Sequence, residues 1–324
     1  MLMAVLCLVV ASCDEDAPLQ NVADDNAIGF QTAVETTTRA DQTDLERDGF
    51  SVWGGYVTSG AINNVFTGTT ISYDAVNGWT YSPAKYWVPG KVYNFFATYP
   101  VQATNKVTPF ISSTDSKLYY TFAFNMPVNA DTDLLVASTP ISTNTKPYGP
   151  VHFDFIHALS KININVQKNG ANSDEKVVVN SIVIRNVKRS SSFNNETGKW
   201  DVGEDGMNFT TTGNLNVELQ VDDSDEKKPI STSVISGLLF IPQDIAANSI
   251  QVAINYSFVK GNTVDRYTAE AFLPNTTIAK WESQKAYTYN IILGQKKNDI
   301  LFGIPTVSGW IGTEQQAGST IIIQ

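Results

Sequence analysis

Cys13 stands where the sequence predicts a covalent modification. It follows the apolar run MLMAVLCLVVAS, and the small residues Ala11 and Ser12 directly precede it. The run is shorter than the roughly 20 apolar residues that a bilayer span needs, but it has the length and the small-residue ending of a signal peptide. VASC therefore has the form of a bacterial lipobox, in which the thiol of Cys13 accepts a diacylglyceryl group. We expect residues 1–12 to be a lipoprotein signal peptide and Cys13 to be the lipidation site.

The lipobox leaves one alternative open and raises one expectation about the start of the chain. A buried strand that ends in a free cysteine would show the same apolar run. No Lys or Arg precedes the run, as it does in a complete signal peptide, so we expect the start codon to lie upstream of Met1. Several acyl chains, at about 0.8 kcal/mol per buried methylene, would anchor the protein to a membrane without spanning it.

The sequence shows no catalytic or metal-binding motif. The two histidines, His152 and His157, lie five residues apart in one predicted strand and point to opposite faces, so they cannot bind one metal ion together. No G-x-S-x-G, Walker or H-E-x-x-H motif occurs. His157 lies on the apolar parity, which predicts a core histidine with a satisfied ring nitrogen. We therefore predict no enzyme activity, no metal and no cofactor.

Two further patterns have both a functional and a structural interpretation. The acidic runs VDDSDEKK from Val221 and DVGEDGMN from Asp201 lack the spaced ligands of an EF-hand, so solvated turns are favoured over calcium loops. Tryptophans can stack on sugars, but in a β-sandwich most of them fill cores, and we expect core positions with a glycan site as the alternative. The six are Trp53, Trp79, Trp87, Trp200, Trp281 and Trp310.

Composition predicts an all-β protein of two domains. The 324 residues are 42 % hydrophobic, 11 % aromatic and only 17 % charged, a balance that favours strands. This length suits two domains of roughly 100–200 residues each. The net charge is -10 and no basic cluster is visible, which argues against a nucleic-acid partner. Because Cys7 and Cys13 are the only cysteines, the part of the chain after residue 13 can form no disulfide.

The first segment after the lipobox consists of a tether and a strand. Residues 14–27 are acidic and poor in core residues, which predicts a flexible tether. The stretch IGFQTAVETTTRA then alternates, which predicts a half-buried strand over residues 28–38 that ends at Arg39. Its apolar residues of one parity are Ile28, Phe30 and Val34. The following ADQTDLERDG is polar and predicted to be exposed, where proteases reach the backbone.

The rest of the chain predicts many short strands. From Phe50 onward, aromatic and β-branched stretches alternate with Gly, Pro and Asn turns, and SIQVAINYSFV and KAYTYNIILG are the cleanest strands. VHFDFIHALSKININVQ changes apolar parity between Leu159 and Ile162, so a bulge or sharp bend is needed if both runs feed one core. We expect one β-sandwich over residues 40–149 and a second over residues 150–324.

Several motifs together resemble the fimbrillin-like proteins of Bacteroidales-type bacteria, the subunits of type V pili. Besides the lipobox, these motifs are FQTAVETTTRA, WVPGKVYNFFATYP, DLLVAST, VHFDFIHALSKININV, LLFIPQ, WESQKAYTYNIIL and VSGW. The resemblance covers nearly the whole chain, and the order of the motifs matters more than any one of them. It implies two tandem transthyretin-like β-sandwich domains, export as a lipoprotein to the surface of the cell outer membrane, and assembly by proteolysis and strand exchange. The acids after Cys13 resemble the surface-export signal of such lipoproteins.

The resemblance also implies a processing site. In such proteins an arginine-specific protease cuts after an arginine near the end of the first strand, and the matching bond here joins Arg39 to Ala40. Arg47, in the same predicted exposed stretch, is a lesser candidate. Residues 13–39 would then be a propeptide that consists of the tether and a removable first strand.

The residues supply a physical reason for such a switch. Removal of the first strand would leave an apolar groove with unpaired backbone groups, which an extended segment of a neighbouring subunit can fill. The apolar stretch 301–324 has the character of a donor strand, and the alternative is that it closes its own domain as an edge strand. Its apolar residues are Leu301, Ile304, Val307, Ile321, Ile322 and Ile323. A head-to-tail contact of this kind does not close on itself and builds a filament.

We therefore expect a fimbrial subunit precursor, located at the outer membrane surface and in the fimbrium, that serves adhesion. The expected partners are other fimbrial subunits, the outer membrane through the lipid, and ligands on host or bacterial surfaces, with no nucleic acid. The alternative is a non-polymerising surface lipoprotein that binds glycan or a host ligand, which clustered exposed tryptophans would favour. A glycosidase would need paired carboxylates across a cleft, and no motif indicates them.

Overall fold

The chain is built almost entirely from strands in the computed structural model, which confirms the all-β prediction. The structure describes residues 26–34, 41–101, 106–143, 148–169, 176–211, 215–222, 226, 228–246, 248–274, 278–293, 299–310 and the backbone of 314–315. Cys13, Arg39, Ala40 and residues 321–323 lie outside the described residues, so the predictions that fall on them stay predictions.

One short helix and twenty-four strands follow one another along the described residues. The helix is α1, Gln42–Asp48. The first eight strands are β1 (Phe30–Val34), β2 (Phe50–Thr58), β3 (Ala61–Asp74), β4 (Gly78–Thr80), β5 (Val92–Tyr99), β6 (Val107–Ile111), β7 (Leu118–Asn125) and β8 (Leu135–Ser142). The next eight are β9 (Val151–His157), β10 (Ser160–Lys168), β11 (Lys176–Lys188), β12 (Ser190–Asn194), β13 (Lys199–Val202), β14 (Gly206–Thr210), β15 (Val217–Glu218) and β16 (Thr232–Phe240). The last eight are β17 (Gln243–Asp244), β18 (Gln251–Lys260), β19 (Thr263–Phe272), β20 (Lys280–Trp281), β21 (Lys285–Leu293), β22 (Ile300–Phe302), β23 (Thr306–Gly309) and β24 (Glu314–Gln315).

The strands form four larger sheets and one small one. A seven-stranded sheet has the order β1-β9-β8-β5-β2-β3-β4, and a four-stranded sheet has the order β13-β12-β7-β6. A six-stranded sheet runs β16-β10-β21-β23-β24 with β22 also on β21, and a five-stranded sheet runs β14-β11-β18-β19 with β15 on β11. β17 and β20 form a separate pair. No helix in the described part of the chain is long and apolar enough to cross a membrane.

The core of the seven-stranded sheet is dominated by aromatic side chains, and we call it the aromatic core. Its buried residues are Ile28, Phe30, Leu45, Phe50, Val52, Phe66, Ile71, Trp87, Tyr93, Phe95, Ala97, Tyr99, Leu135, Ala137, Val151, Phe153 and Phe155. The neighbouring residue Phe96 belongs instead to a larger core, which the other sheets share. Because β5 is buried on both faces, the stretch VYNFFATY is almost continuously apolar rather than alternating.

The parity change between Leu159 and Ile162 marks the passage of the chain from one sheet to another. β9 lies in the seven-stranded sheet and β10 in the six-stranded sheet. Phe153 and Phe155 accordingly pack in the aromatic core, whereas Ile162 lies in the larger core. The chain bends at Leu159, where the sequence predicts a bulge or bend, and Leu159 and Ile162 both face the larger core on either side of that bend.

Sheet pairing crosses the position at which the sequence predicts a domain junction. β9 follows residue 149 and yet lies in the seven-stranded sheet, between β1 and β8. In the same way, β12 comes from the second half of the chain and pairs with β7 of the first half. The two-domain division at residues 149 and 150 stays a prediction, and any division of the chain has to accommodate these two crossings.

Candidate functional site

β1 is the edge strand of the seven-stranded sheet, and β9 is its one described strand partner. The two strands run parallel, in a register that extends from Phe30 opposite Val151 to Val34 opposite Phe155. A strand was predicted over residues 28–38, and its described part is Phe30–Val34. The predicted parity is also present, because Phe30 is buried and Val34 half-buried, whereas Gln31 and Ala33 on the other face are exposed.

β9 depends on β1 for most of its backbone pairing. In the described pairs, β8 meets β9 only at Ile156 and His157, the last two residues of the strand. Residues Val151–Phe155 therefore obtain their ladder pairing from β1 alone among the described strands. Loss of β1 would leave the outer edge of β9 without hydrogen-bond partners while its side chains remain in the core.

Phe30 is the side chain that β1 inserts most deeply. It is 5 % exposed and stacks on Phe153 with ring centroids 5.8 Å apart. It meets the rings of Phe66 and Tyr81 edge to face, at centroid distances of 5.4 and 5.6 Å. Phe95 lies edge-on at 6.3 Å. Edge-to-face and stacked rings at these distances attract each other beyond the effect of area burial, so Phe30 fits a preformed aromatic socket.

A glycine in β2 leaves space for this socket. Gly54 of β2 lies opposite Phe95 of β5 in the antiparallel pairing, and a Cβ atom on Gly54 would overlap the ring of Phe95. Only a residue without a side chain lets Phe95 lie against the sheet at that point, beneath Phe30. Gly54 of the stretch GFSVWGGYV thus serves the packing of Phe95, whose ring lies edge-on to Phe30 of the first strand.

Polar contacts fix the residues just before β1. The amide of Ile28 donates to the carbonyl of Lys85 at 2.9 Å, and the hydroxyl of Tyr81 donates to the carbonyl of Ile28 at 2.7 Å. The amide of Trp87 donates to the carbonyl of Asn26 at 2.9 Å. Burial raises the pKa of Tyr81, so its hydroxyl stays protonated and remains a donor. Residues 26–34 are therefore held by hydrogen bonds to residues 81–87 at their start and by the pairing with β9 along β1.

Removal of residues 26–34 would open a continuous apolar groove, which we call the first-strand groove. Its floor consists of the aromatic rings around Phe30, and one wall is the edge of β9. Burial of Ile28 and Phe30 contributes roughly 1.5–3 kcal/mol each, and the same apolar surface on the socket would face water without them. An empty groove of this kind is unstable in water, because it exposes apolar surface and unpaired backbone groups. Only another extended chain can cover the surface and pair with those groups.

The stretch ADQTDLERDG contains a short helix that the sequence analysis missed. It had been predicted as a polar, exposed segment, but α1 buries Leu45 completely in the aromatic core. Asp41 caps the helix by accepting from the amides of Thr43 and Asp44, and the Asp44 carboxylate accepts from the Asp41 amide in return. This capping box, with the single apolar residue after it, was the signal that could have revealed the helix.

Two side-chain contacts tie α1 to the sheet. Gln42 exchanges hydrogen bonds with Thr32 of β1 at 3.0 and 3.1 Å, so the helix packs beside the first strand. The hydroxyl of Tyr99 donates to Asp48 at 3.0 Å. Burial, together with this bond, raises the pKa of Tyr99 to about 12, so the hydroxyl keeps its proton.

The lesser cleavage candidate, Arg47, lies in the last turn of α1. Its guanidinium is 62 % exposed and forms ion pairs with Asp44 at 2.8 Å and with Asp48 at 2.6 Å. The hydrogen bonds that the guanidinium donates to the Asp48 carboxylate, and the charge of that carboxylate, hold the pKa of Arg47 above its usual value. Arg39 and Ala40 lie in the connection from β1 to α1, outside the described residues.

The described part of the candidate donor segment lies in the chain's own six-stranded sheet. Leu301 belongs to β22 and Val307 to β23, and both strands pair with β21. With Ile304 between them, these residues are half-buried. This arrangement agrees with the edge-strand alternative for residues 300–309, whereas residues 321–323 lie outside the described residues and their donor role stays a prediction.

The two histidines occupy opposite faces of β9, as predicted. His152 is exposed and its Nε2 lies 3.1 Å from Asp154. His157 is 3 % exposed and its Nδ1 lies 2.8 Å from the carboxylate of Asp133, so it is a core histidine with one satisfied nitrogen. In the described part of the chain, no three His, Cys, Asp or Glu side chains come close enough to hold a metal ion.

The tryptophans fill cores and seams rather than forming an exposed cluster. Trp87, Trp281 and Trp310 are buried. Trp53, Trp79 and Trp200 are partly buried and pack against the cores. No concave patch of exposed tryptophans therefore supports the glycan-binding alternative.

The acidic run from Val221 lies partly outside the described residues.

Comparison with known proteins gives a family match and several similar folds. The fimbrillin-like family matches residues 38–310 of the chain. A candidate cell adhesion protein of Bacteroides ovatus superposes with a TM-score of 0.50 at 16 % identity, over 89 % of this chain and 99 % of that one. A candidate cell adhesion protein of Bacteroides uniformis gives 0.46 at 18 % identity, over 88 % and 98 %. A comparison with curated proteins finds no match. At these identities the structural likeness concerns the fold alone.

The importance of the aromatic socket is tested by replacing Phe30. We expect Phe30→Ala to lower the free energy of unfolding by about 3–5 kcal/mol, because a large buried ring leaves a cavity behind it. Gln31→Ala is the matched control, since Gln31 is exposed on the same strand, and it should change stability by less than about 0.5 kcal/mol. Denaturant unfolding measures both variants. Equal effects of the two substitutions would show that β1 is not docked through Phe30.

Proposed function

This chain belongs to the fimbrillin-like family, and on that premise we propose that it is a fimbrial subunit precursor. In this proposal the protein is exported as a surface lipoprotein anchored at Cys13, is cleaved after Arg39, and polymerises by strand exchange into a fimbrium that serves adhesion. Its partners are further fimbrial subunits, bound head to tail, and the outer membrane through the lipid.

The observation that carries this proposal is the dependence of β9 on β1. Residues Val151–Phe155 obtain their described ladder pairing from a strand that lies at the sheet edge, and that strand is joined to α1 through the segment that contains Arg39. A cut after Arg39 would sever β1 from the rest of the fold without breaking any other strand. The first-strand groove would then accept an extended segment of a second subunit by β-strand addition.

The remaining apolar segment supplies the partner in this exchange. Ile321, Ile322 and Ile323 form a dense apolar run, and β24, the last described strand before it, lies at the edge of the six-stranded sheet. A run of this type matches a groove whose sockets hold Ile28 and Phe30. The contact uses two different surfaces of each subunit and therefore propagates as a filament.

The cleavage site is tested with an arginine-specific protease and two substitutions. We expect cleavage of the full chain to give a new N-terminus at Ala40, and Arg39→Ala to abolish it. Arg47→Ala should have no effect, because Arg47 lies in a hydrogen-bonded helix and its guanidinium is paired with Asp44 and Asp48, whereas proteases bind extended substrates. N-terminal sequencing of the product gives the answer.

Two results would contradict this assignment. A product that begins at Asp48 would move the cut to Arg47. Surface material whose chain still begins at a lipidated Cys13 would contradict polymerisation by this route and would favour a non-polymerising surface lipoprotein that binds glycan or a host ligand.

The lipid anchor is tested by metabolic labelling with palmitate. We expect Cys13→Ser to remove all label, since the thiol of Cys13 is the acceptor in the lipobox. Cys7→Ser is the matched control, because Cys7 lies within the apolar run, and it should keep the label. Label that persists in the Cys13→Ser protein would exclude the anchor at this position.

The donor role is tested by replacing the apolar run. We expect the triple substitution Ile321→Asn, Ile322→Asn and Ile323→Asn to leave folding intact and to abolish the polymer ladder that forms after Arg39 cleavage, because each apolar anchor contributes roughly 1.5–3 kcal/mol when buried. The control is Ile230→Asn, at a residue that is 43 % exposed, which should keep the ladder. Gel electrophoresis without boiling measures the ladder, and an unchanged ladder in the triple variant would assign the donor to another segment.

A further inference from the structure

A cavity of about 470 Å³ opens on the five-stranded sheet, and we call it the outer-face cavity. In β18, Ile254 and Tyr256 lie in the larger core, so Asn255 between them lies on the opposite, outer face of the sheet. Thr268 and Arg266 of β19 are exposed on this same face, because Thr268 pairs with Asn255 and Arg266 lies two residues before it. The described residues that line the cavity are Asn180, Asn216, Asn255, Tyr256, Arg266, Tyr267 and Thr268.

A β-bulge in β11 turns Asn180 toward the outer face. The register of β11 with β18 skips Asn180, and a bulge of this kind redirects a side chain. Oδ1 of Asn180 accepts from the hydroxyl of Ser257 at 2.7 Å, and Ser257 lies two residues after Asn255, on the same face. The amide of Leu215 donates to the carbonyl of Asn180 at 2.8 Å, which holds the next residue, Asn216, beside the bulge.

The hydrogen bonds inside the cavity leave mainly N–H donors for a ligand. Oδ1 of Asn255 accepts from the hydroxyl of Thr268 at 2.7 Å, and Nδ2 of Asn255 donates to the hydroxyl of Ser181 at 2.8 Å. The amide group of Asn255 has a second hydrogen, which has no partner among the described residues. Nδ2 of Asn216 has none either, because only the Oδ1 of this residue is engaged, at 3.5 Å from Nδ2 of Asn180.

Arg266 adds a positive charge that no described residue neutralises. Its exposed guanidinium forms no ion pair or hydrogen bond with the described residues. Two acids share the outer face, but Glu270 is paired with Arg185 at 2.8 Å and Glu218 with Lys176 at 3.0 Å. No described Asp or Glu lines the cavity, although the net charge of the chain is -10. A free guanidinium presents a planar fork of donors that matches a carboxylate.

The lining chemistry selects a class of ligand. A carboxylate alone would occupy Arg266 and leave the amide groups of Asn216 and Asn255 unused. A ring that carries one carboxylate and several hydroxyls uses all three residues, because each hydroxyl both donates and accepts. Neighbouring strands lie roughly 4.8 Å apart, so side chains on adjacent strands can contact the substituents of one sugar ring. The cavity volume of about 470 Å³ falls within the usual range of small-ligand sites, roughly 300–1,000 Å³.

We propose that the outer-face cavity binds the acidic sugar unit of a glycan, a uronic or sialic acid whose carboxylate accepts from Arg266. The sugar hydroxyls accept from the free N–H groups of Asn255 and Asn216 and donate to the hydroxyl oxygen of Thr268. The inference goes beyond the proposed function and does not depend on strand exchange, because the five-stranded sheet contains neither β1 nor β9. No tryptophan takes part, so the site is separate from the tryptophan positions considered above.

The experiment uses the full, uncleaved chain and two pairs of soluble sugars. Trigalacturonate is compared with its methyl ester and sialyllactose with lactose, and isothermal titration calorimetry measures each affinity. We expect at least one acidic sugar to bind about tenfold or more tightly than its neutral counterpart, a typical effect for charge-assisted hydrogen bonds. Tricarballylate has carboxylates but no sugar ring, and it should bind about tenfold more weakly than that acidic sugar.

Protein variants locate the effect. Arg266→Gln removes the exposed charge and should reduce the preference for the acidic sugar to less than about threefold. Asn255→Asp keeps the shape of the side chain but places a carboxylate beside the ligand, and it should weaken the acidic sugar about tenfold or more. Arg189→Gln is the matched control, because Arg189 is also exposed and unpaired among the described residues but does not line this cavity. It should keep the full preference, and unfolding midpoints confirm that each variant is folded.

Several results would overturn this site. Failure of both acidic sugars to bind, or equal binding of acidic and neutral sugars, would refute it. Tricarballylate that binds as tightly as the sugar would indicate recognition of a carboxylate alone and would contradict a glycan ligand. A preference that survives Arg266→Gln would place the binding elsewhere on the protein. None of these results would touch strand exchange, which is measured by the polymer ladder after cleavage.

Discussion

The parallel pairing of β1 with β9 is the constraint on which the first sheet depends. β9 places Phe153 and Phe155 in the aromatic core, but its backbone over Val151–Phe155 has β1 as its one described ladder partner. The side chains of β9 are buried, whereas its backbone hydrogen bonds are made to a strand at the sheet edge. β9 cannot lose that edge strand without a replacement, because unpaired backbone groups near a core are costly. The same strand that completes the fold is therefore the one whose exchange would matter most.

β9 also carries the chain into the second half of the structure. Directly after it, the carbonyl of Ala158 accepts from Nε1 of Trp200 at 3.0 Å and from the hydroxyl of Ser283 at 2.8 Å. The amide of Gln284 donates to the carbonyl of Leu159 at 3.2 Å. Groups from β13 and from the turn before β21 thus converge on two residues of the HALSKI stretch. The edge that holds β1 and the junction between sheets are consecutive parts of one continuous segment.

Local pattern and long-range pairing differ in how far the sequence reveals them. The alternation of β9, β10, β18 and β21 is visible because large apolar residues recur at every second position of each strand, and the strand around Phe30 was found for the same reason. The partner of that strand could not be found, since a parallel pairing between residues about 120 positions apart leaves no periodic signal. The joining of β12 to β7 has the same cause, and α1 is too short for helical periodicity. Asp133, the partner of His157, was missed because nothing in the spacing of the two residues indicates contact.

Covalent connection decides whether β1 or another chain occupies the groove. While β1 is joined to α1 by a few residues, its effective concentration at the groove lies far above that of any separate subunit, of order millimolar or more for a short linker. A segment from a second subunit then cannot compete, even when its contacts are somewhat better. After a cut between β1 and α1, the released strand dilutes into the surroundings, and the comparison becomes one of intrinsic affinity. Proteolysis in the proposed mechanism is therefore a thermodynamic requirement for exchange, because it removes the advantage of the intramolecular strand and leaves the first-strand groove intact.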